Sequence, residues 1–402
     1  MSALLAPDPA VPQRDALLDA REMAALLGPA LAGAPATRCE RVNAKYRVGD
    51  SLRVAYRLQV GGAVHTVAGR TFPGRSEHVY ARAAASAIGA GGVPGVLHAP
   101  ELETVFWTFP NDRRLTALRL LADGSLDRLT GYRGVRGRLV AYAPERSATA
   151  RCIAGGQVVA YLKLHFDAAG RELARTSTAA DAIGADDPDL RVPRVLAAPV
   201  REGALVLEPL RGERLDRLAA PPLERLGTAL ARLHAVAPPP RRFDRTDAAR
   251  LDIAAAVVGR ARPDCAAAAA ALRDRLAARG VGAHGEPVHL HGDTNLRNAL
   301  LDGDRIALVD LEDAAAGPAA ADLGFVLAGL LAARVQGRAT PPDEELLRGY
   351  ARLAAPPDPE SLRWHIGAST LARIAVPAVG RVRPAVLAGL RNLLTDAGAL
   401  LR

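Results

Sequence analysis

The sequence lacks the marks of a membrane or secreted protein. Its longest uncharged apolar run, Leu323 to Ala333, is far shorter than the ~18–20 residues that a membrane span needs. The N-terminal stretch MSALLAPDPAVPQRD has no basic start followed by an apolar segment, so it predicts no signal peptide. The three cysteines, Cys39, Cys152 and Cys265, are far apart and odd in number, which favours reduced thiols over a disulfide scaffold or a metal site. We therefore expect a cytoplasmic protein with no membrane partner.

Aromatic residues are also scarce, at 4% of the chain, and the basic residues form no run. Both observations argue against a nucleic-acid partner, although the formal net charge is +9. Hydrophobic residues make up 49% and charged residues 24% of the 402 positions. This composition is ordinary for a globular protein with two or three domains.

Lysine is almost absent. Of the 52 lysine and arginine residues, all but Lys45 and Lys163 are arginine. A lysine in such a chain indicates a position where the broad, planar guanidinium of arginine cannot replace the compact ammonium group. Lys163 lies in the apolar, strand-like segment QVVAYLKLHF. We therefore favour a functional role for Lys163 over that of an edge-strand lysine with its charge in solvent.

The first 210 residues contain two similar strand-rich lobes. Each lobe has strands rich in β-branched residues, a hairpin signal at Gly61-Gly62 or Gly155-Gly156, and a helical pattern after the strands. Glu77 in the first helical pattern aligns with Glu172 in the second at an offset of 95. These matches predict an internal duplication, with chance similarity in an alanine-rich chain as the alternative. After residue 220 the pattern is mostly helical, apart from one hairpin.

Acidic and amide side chains collect around that hairpin. The segment EPVHLHGDTNLRNALLDGDRIALVDLEDAAAG reads as a strand, a polar loop and two short strands joined at Asp302-Gly303. Asp293 and Asn298 precede the hairpin and Asp310 follows it, so the antiparallel fold-back brings the three to one end. Two carboxylates and an amide oxygen form a ligand set suited to Mg²⁺. Ordinary loop-capping roles for these residues are the alternative.

This window resembles the aminoglycoside phosphotransferase and choline kinase families, which are small-molecule relatives of the protein kinases. The resemblance is carried by HGD-x(4)-N, by VDLED, by ADLGF with Asp322, and by the helix ALARLHAV around His234. The spacing from Asp293 to Asn298 also matches the protein-kinase catalytic loop. Over about residues 135–402, the resemblance implies an α+β, protein-kinase-like bilobal fold with a small β-rich N-lobe and a larger helical C-lobe.

The implied domains are a degenerate, N-lobe-like cap over 1–130, a nucleotide-binding N-lobe over 131–210, and a helical C-lobe over 211–402 with the catalytic loop, the metal loop and the acceptor site. The cap resembles the additional N-terminal lobe of bacterial maltokinase-type proteins. Arg70 stands near the place of the lysine and Glu77 matches the glutamate of the second lobe, but no second HGD accompanies them.

The resemblance also implies roles in the C-lobe. Asp293 would orient the acceptor hydroxyl and receive its proton, and Asn298 and Asp310 would hold Mg²⁺ on the nucleotide phosphates. The supporting residues would be His291, which braces the catalytic loop, Asp322, and Glu312, which assists through water.

In the N-lobe, Lys163 would contact the α- and β-phosphates and Glu172 would pair with it. The segment Leu207 to Leu210, with Glu208, would form the hinge beside the adenine. The sequence departs from the family pattern in the loop APERS, which has no glycine. Arg146 or Ser147 would contact the phosphates there instead.

The expected function is an ATP- or GTP-dependent and Mg²⁺-dependent transfer of the γ-phosphate to a hydroxyl of a small molecule, such as a sugar, metabolite or antibiotic. A catalytically silent kinase-like protein that binds nucleotide or has a regulatory role is the alternative. From Leu331 to Arg402 the chain has ten arginines and six acidic residues. This balance favours a neutral or anionic acceptor over a polycationic aminoglycoside. Trp364 and His365 are candidates for a pocket wall or for the core.

Overall fold

The computed structural model describes residues 4–89, 92–167, 169–280 and 285–402. The chain divides into two compact units. The first, called here the sheet unit, comprises Pro7–Gly170 and Val195–Pro209. The second, the helical unit, comprises the described part of Met1–Ala6 together with Arg171–Arg194 and Leu210–Arg402. Both β-rich lobes lie in the sheet unit, and the predicted boundaries near residues 130 and 210 stay a prediction.

The sheet unit begins with two helices and an antiparallel sheet. Its elements in chain order are α1 (Arg14–Leu18), α2 (Ala20–Ala32), β1 (Arg38–Arg47), β2 (Ser51–Val60), β3 (Ala63–Thr71), α3 (Ser76–Ala84), β4 (Val96–Ala99) and β5 (Thr104–Thr108). The sheet has the strand order β1-β2-β3-β5-β4. The Asp19 side chain caps α2 by accepting hydrogen bonds from the backbone N–H groups of Arg21 and Glu22.

A second antiparallel sheet follows in the chain. The next elements are α4 (Leu126–Thr130), β6 (Arg136–Ala143), β7 (Ser147–Ala154), β8 (Gln157–His165), α5 (Ala169–Ile183), β9 (Leu190–Arg191), β10 (Val195–Ala197) and β11 (Ala204–Leu207). The strand order is β10-β11-β8-β7-β6. Most of α5, and β9, belong to the helical unit.

The two sheets share one architecture. Read from the other edge, the second sheet has the order of the first, and both glycine pairs take positive φ in the turn after the second strand. Arg70 lies opposite Val105, the second residue of β5, and Lys163 lies opposite Leu205, the second residue of β11. Arg70 and Lys163 therefore occupy equivalent positions. This supports the predicted duplication, which stays a prediction together with the maltokinase-like character of the cap.

One hydrophobic core joins the two sheets of this unit. Ala55 and Ala68 of the first sheet belong to the same buried cluster as Tyr142, Leu162 and Leu164 of the second. The segment between the sheets adds four buried leucines, Leu115, Leu118, Leu126 and Leu129. The first sheet also has a smaller cluster of its own, formed by Phe72, Val96, Val105 and Trp107.

The helical unit combines helices with short strands. Its remaining elements are β12 (Glu213–Arg214), α6 (Leu223–His234), α7 (Ala248–Ala261), α8 (Ala266–Ala278), β13 (Val288–Leu290), β14 (Ala299–Asp302), β15 (Arg305–Leu308), β16 (Ala315–Gly317), α9 (Ala320–Val335), α10 (Asp343–Tyr350), α11 (Pro359–Ser369), α12 (Val376–Gly380), α13 (Pro384–Ala388) and α14 (Leu390–Ala399). A π-helical segment, Thr370–Ala375, joins α11 to α12. No helix in the described ranges is both long and apolar enough to cross a membrane.

The predicted hairpin is present as β14 and β15. Asp302 pairs with Arg305, so the two turn residues are Gly303 and Asp304, one position later than the sequence suggested. Gly303 takes φ 62°, which the tight turn requires. β15 also pairs in parallel with β9, and the small sheet has the order β12-β14-β15-β9.

Helices α6 and α10 of the helical unit pack closely against each other. Gly227 of α6 and Gly349 of α10 face the partner helix so closely that a Cβ at either position would collide with its backbone. The Thr228 hydroxyl donates to the Gly349 carbonyl at 3.0 Å across this contact. His234, at the end of α6, and Tyr350, at the end of α10, are thereby brought together.

Candidate active site

Buried Asp322 holds the loop that carries the HGD motif. Its side chain is fully buried at the start of α9 and accepts hydrogen bonds from the backbone N–H of His291 at 2.7 Å and of Gly292 at 3.1 Å. His234 Nε2 lies 3.4 Å from the same carboxylate, and His234 Nδ1 lies 2.9 Å from the Tyr350 hydroxyl. Burial alone would raise the pKa of Asp322, but the hydrogen bond and the charge of His234 outweigh it and lower the pKa.

The ring of His291 ties this loop to the end of β15. Its Nε2 donates to the Val309 carbonyl at 3.0 Å, while its Nδ1 accepts from the backbone N–H of Asp293 at 3.3 Å. Gly292 takes φ 78°, and a Cβ there would collide with the backbone carbonyl of Asp313. His291 and Gly292 of the HGD motif thus each have a physical reason in this loop, and the bracing role of His291 stays a prediction.

The Asp293 carboxylate lies at the end of this braced loop. The side-chain amide of Asn298 donates to the Asp293 carbonyl at 3.0 Å and to its Oδ2 at 3.3 Å. The guanidinium of Arg373 lies 3.4 Å from Asp293 Oδ1. Burial raises the pKa of Asp293 in spite of attraction by Arg373 and Arg245. One third of the Asp293 side chain stays exposed, so a small molecule can reach it.

The structure also brings Asn298 and Asp310 together. The backbone N–H of Val309 donates to the Asn298 carbonyl at 2.9 Å, which places Asp310 beside Asn298. Asp310 takes the left-handed conformation with φ 73°, which is unusual for a residue with a side chain. The side-chain nitrogen of Asn298 already donates hydrogen bonds to Asp293. The side-chain oxygen of Asn298 is therefore the atom that is left to bind a cation. The chemistry of this donor set fits Mg²⁺.

The acidic loop after Asp310 is compensated by arginines. Asp313 binds Arg245 in an ion pair and lies 3.7 Å from Arg241. The backbone carbonyl of Glu312 accepts a hydrogen bond from Arg175 of α5. Asp313 is thereby neutralised within the helical unit.

Arg373 is a site residue that the sequence analysis missed. It lies in the π-helical segment, has 3% of its side chain exposed, and donates to the Gly292 carbonyl at 2.7 Å. Its guanidinium stacks on Phe325 at 3.5 Å from the ring centroid. Burial lowers the pKa of Arg373 to about 10, so it is still charged at neutral pH. The only sequence signal was a lone arginine in the apolar run TLARIAVPAV.

Arg383 is a second missed cation near Asp293. Its guanidinium makes no hydrogen bond or ion pair with the residues that the structure describes. Burial lowers its pKa to about 10, repulsion by Arg381 and Arg297 adds to this, and attraction by Asp293 opposes it. The preceding residue, Val382, takes φ 46°. A β-branched residue in that conformation is strained, and such strain persists where the surrounding fold imposes it.

The other predicted residues of the helical unit are also placed. Glu172 is 1% exposed in the first turn of α5, and Leu210 follows the last residues of the sheet unit. Trp364 is 3% exposed and donates to the Leu276 carbonyl at 3.0 Å, so it belongs to the core rather than to an open pocket wall. His365, also 3% exposed, is equally buried.

In the sheet unit, Lys163 is half-buried near the C-terminal end of β8, between Thr149 of β7 and Leu205 of β11. Glu208 follows β11. Ser147 begins β7, and the Arg146 carbonyl accepts a hydrogen bond from the Phe166 N–H at 3.0 Å. The β6–β7 loop therefore lies beside the end of the strand that carries Lys163.

Glu145, within the loop APERS, is a residue of the sheet unit that the sequence analysis missed. Its carboxylate is 3% exposed and binds Arg70, Arg113 at 2.5 Å and Arg53 at 3.6 Å. All three arginines come from the first lobe. The Glu145 N–H also donates to Asp112 at 3.0 Å. This set, called here the Glu145 clamp, fixes the loop that has no glycine.

Comparison with known proteins identifies the class. The model of the phosphotransferase enzyme family (APH) matches residues 147–365. The chain belongs to this family. No curated protein matches it.

Solved structures give the same fold. The spectinomycin phosphotransferase APH(9)-Ia, in complex with ADP and spectinomycin, is 13% identical, with 69% of this chain and 98% of that chain covered and a TM-score of 0.52. A choline/ethanolamine kinase family protein from Mesorhizobium loti is 20% identical over 70% of this chain and 95% of that chain, with a TM-score of 0.47. The macrolide 2′-phosphotransferase MphH from Brachybacterium faecium is 21% identical over 68% and 97%, with a TM-score of 0.44. The predicted α+β, protein-kinase-like fold is confirmed.

Proposed function

We propose that this protein transfers the γ-phosphate of ATP to a hydroxyl group of a small molecule, with Mg²⁺ as cofactor. The observation that supports this most is the position of Asp293. Its carboxylate is accessible on a loop that Asp322 and His291 fix. Asn298 and Asp310 lie beside it. Such a transfer depends on positioning and on charge stabilisation rather than on covalent catalysis. The related spectinomycin phosphotransferase was solved with ADP, which supports an adenine nucleotide as donor.

In the proposed mechanism, Asp293 accepts a hydrogen bond from the acceptor hydroxyl and takes its proton as the oxygen attacks. The raised pKa of Asp293 brings it closer to the pKa that suits a general base. The Asn298 amide keeps the carboxylate oriented, and Arg373 fixes the carbonyl of the preceding residue. Asn298 and Asp310 would hold Mg²⁺, which neutralises the phosphate charge when bound.

The residues predicted to bind the nucleotide complete the proposal. Lys163 would contact the α- and β-phosphates, with Glu172 as its partner, and Glu208 and Leu210 would border the adenine. Arg146 and Ser147 would cover the phosphates. The Glu145 clamp supports this last role, because it fixes the loop that carries both residues.

For the acceptor, we propose a neutral or anionic hydroxyl compound. Arg373, Arg245 and Arg383 all act electrostatically on Asp293. Arg383 has no counter-ion among the described residues, and Asp313 is already paired with Arg245. A polycationic aminoglycoside would meet this positive field without the carboxylates that it needs. The enzyme would act in the cytoplasm, which agrees with its three free cysteines.

The test is a phosphorylation screen with purified protein, Mg²⁺ and either ATP or GTP. The acceptor panel contains neutral sugars, sugar acids, amino alcohols and aminoglycosides, with nucleoside diphosphate release and product mass as readouts. We expect turnover with ATP and a neutral or acidic acceptor, and a turnover lower by about 10²–10⁴-fold in Asp293→Asn. Nucleotide binding without turnover for any acceptor, and with no slow hydrolysis, would favour the catalytically silent alternative. Turnover limited to aminoglycosides would overturn the acceptor assignment alone.

A further inference from the structure

A cavity of about 440 Å³ opens in the first lobe, between α3 and β5. It belongs entirely to the sheet unit. Its size lies in the range of small-molecule sites. Nothing in the proposed phosphoryl transfer uses it.

The inner wall of this cavity is aromatic. Phe72 and Trp107 are 4% and 5% exposed and pack edge to face, with ring centroids 6.2 Å apart. Val79, on the cavity-facing side of α3, adds an aliphatic surface. Such a wall suits the flat face of a ring.

The rim of the cavity is basic. Arg75, Arg82, Arg113 and Arg119 line it, and Asp112 is its acidic member. Arg75 immediately precedes α3 and Arg82 lies in its last turn, and both line the cavity. Planar guanidinium groups recognise carboxylates and phosphates by paired hydrogen bonds.

Most of these charges are already balanced. Asp112 accepts four hydrogen bonds, including those from the Tyr142 hydroxyl at 2.6 Å and the Glu145 N–H at 3.0 Å, and so is saturated. Arg113 is paired with Glu145, and the Arg119 guanidinium donates a hydrogen bond to the Ser86 carbonyl at 3.0 Å. Arg75 and Arg82 remain, and neither has a hydrogen bond from its side chain or an ion pair within the described parts of the chain.

We propose that this cavity binds a small organic anion, a ring compound with a phosphate or carboxylate group. The ring would lie against Trp107 and Phe72, and the anionic group would bind Arg75 and Arg82. This assigns a ligand site to the first lobe, and it does not depend on the proposed reaction.

Trp107 provides the test, because the chain has only one other tryptophan, Trp364. In a Trp364→Phe background, Trp107 emission is followed as phenyl phosphate is added, with benzyl alcohol as the neutral counterpart. We expect a saturable change with phenyl phosphate and none with benzyl alcohol. If Trp364→Phe does not fold, calorimetric titration of the full chain measures the same binding.

The decisive comparison is between two charge-matched double variants. Arg75→Gln/Arg82→Gln is expected to weaken phenyl phosphate binding at least tenfold. Arg136→Gln/Arg138→Gln, which changes two exposed arginines of β6, is expected to leave it unchanged. Absence of saturable binding would overturn the proposal. So would equal affinities in the two double variants, which would indicate general charge attraction, or equal binding of benzyl alcohol, which would indicate an apolar patch only.

Discussion

At the scale of single residues, the proposed chemistry depends on the Asp293 carboxylate. Replacing Asp293 with Asn keeps the size of the side chain and one oxygen that can accept from Asn298 or Arg373, but removes the group proposed to take the proton. We expect normal folding and nucleotide binding, with a turnover loss of about 10²–10⁴-fold, measured as kcat for the best acceptor. Asp304→Asn, at the exposed hairpin turn, is the matched control. Activity of Asp293→Asn within threefold of wild type would reject Asp293 as the base.

A substitution at Asp310 distinguishes the proposed metal binding from the proposed proton transfer. Asp310→Ala removes one of the two proposed oxygen ligands but leaves Asp293 in place. We expect the Mg²⁺ concentration needed for half-maximal activity to rise, in contrast to Asp293→Asn. The measurement is a Mg²⁺ titration of initial rates at saturating nucleotide. An unchanged titration curve would place the metal on other residues.

A substitution at Lys163 tests whether the scarcity of lysine in this chain indicates a functional role for the lysine that is present. If its ammonium contacts phosphates, Lys163→Arg introduces a longer, planar head whose donors point elsewhere. A misplacement of ~1 Å can cost ~10²-fold in rate. We therefore expect near-normal thermal stability with a large fall in turnover. Lys45→Arg, on the exposed side of β1, is the control. Equal, small effects at both lysines would contradict the assignment of Lys163.

At the scale of elements, the Glu145 clamp links the β6–β7 loop to the first sheet. Burial alone would raise the pKa of Glu145, but the hydrogen bond from Arg113 and the charges of Arg70 and Arg53 outweigh it and lower the pKa. A lowered pKa in the folded state means that the clamp stabilises the protein above the unfolded-state pKa of about 4.3. This stabilisation is lost as the pH falls through the lower, folded-state pKa.

Glu145→Gln is therefore expected to lower the free energy of unfolding by about 1.5–3 kcal/mol near neutral pH. The difference from wild type should shrink as the pH falls through the folded-state pKa, because the wild-type side chain then also becomes neutral. Urea unfolding at several pH values measures both effects. Glu40→Gln, in an exposed pair with Arg57, should change little at any pH. A pH-independent deficit in Glu145→Gln would mean that charge pairing is not its cause.

The elements also show how far the sequence alone can lead. Strand alternation, the glycine pairs and the Asp-Gly turn predicted the hairpins, because these signals are local. Asp293, Asn298 and Asp310 could be found because one hairpin brings them together within a short window. Arg373 and Glu145 could not, because each acts on a loop or strand far away in the sequence, and no local pattern encodes that pairing. The strand order of the first sheet was equally invisible, since it is fixed by long-range pairing.

At the scale of the whole molecule, the Glu145 clamp and the shared core make the two lobes of the sheet unit one folding unit. The segment between the sheets places Leu115, Leu118, Leu126 and Leu129 in the core beneath the second sheet. The predicted cap over 1–130 is therefore not a removable addition. Its removal would take away four buried leucines and the three arginines that neutralise Glu145.

Deleting residues 1–130 should consequently abolish cooperative folding. Buried leucines contribute about 2–5 kcal/mol each, so four of them contribute about 8–20 kcal/mol, which is comparable to a typical total stability of about 5–15 kcal/mol. We expect the 131–402 fragment to aggregate or to lack a sharp thermal transition. As a control, trypsin cleavage of the intact chain at exposed Arg133 should leave the two pieces associated, because the core and the clamp still join them without the covalent link. A monomeric 131–402 fragment that melts as sharply as the full chain would show that the second lobe folds independently of the first.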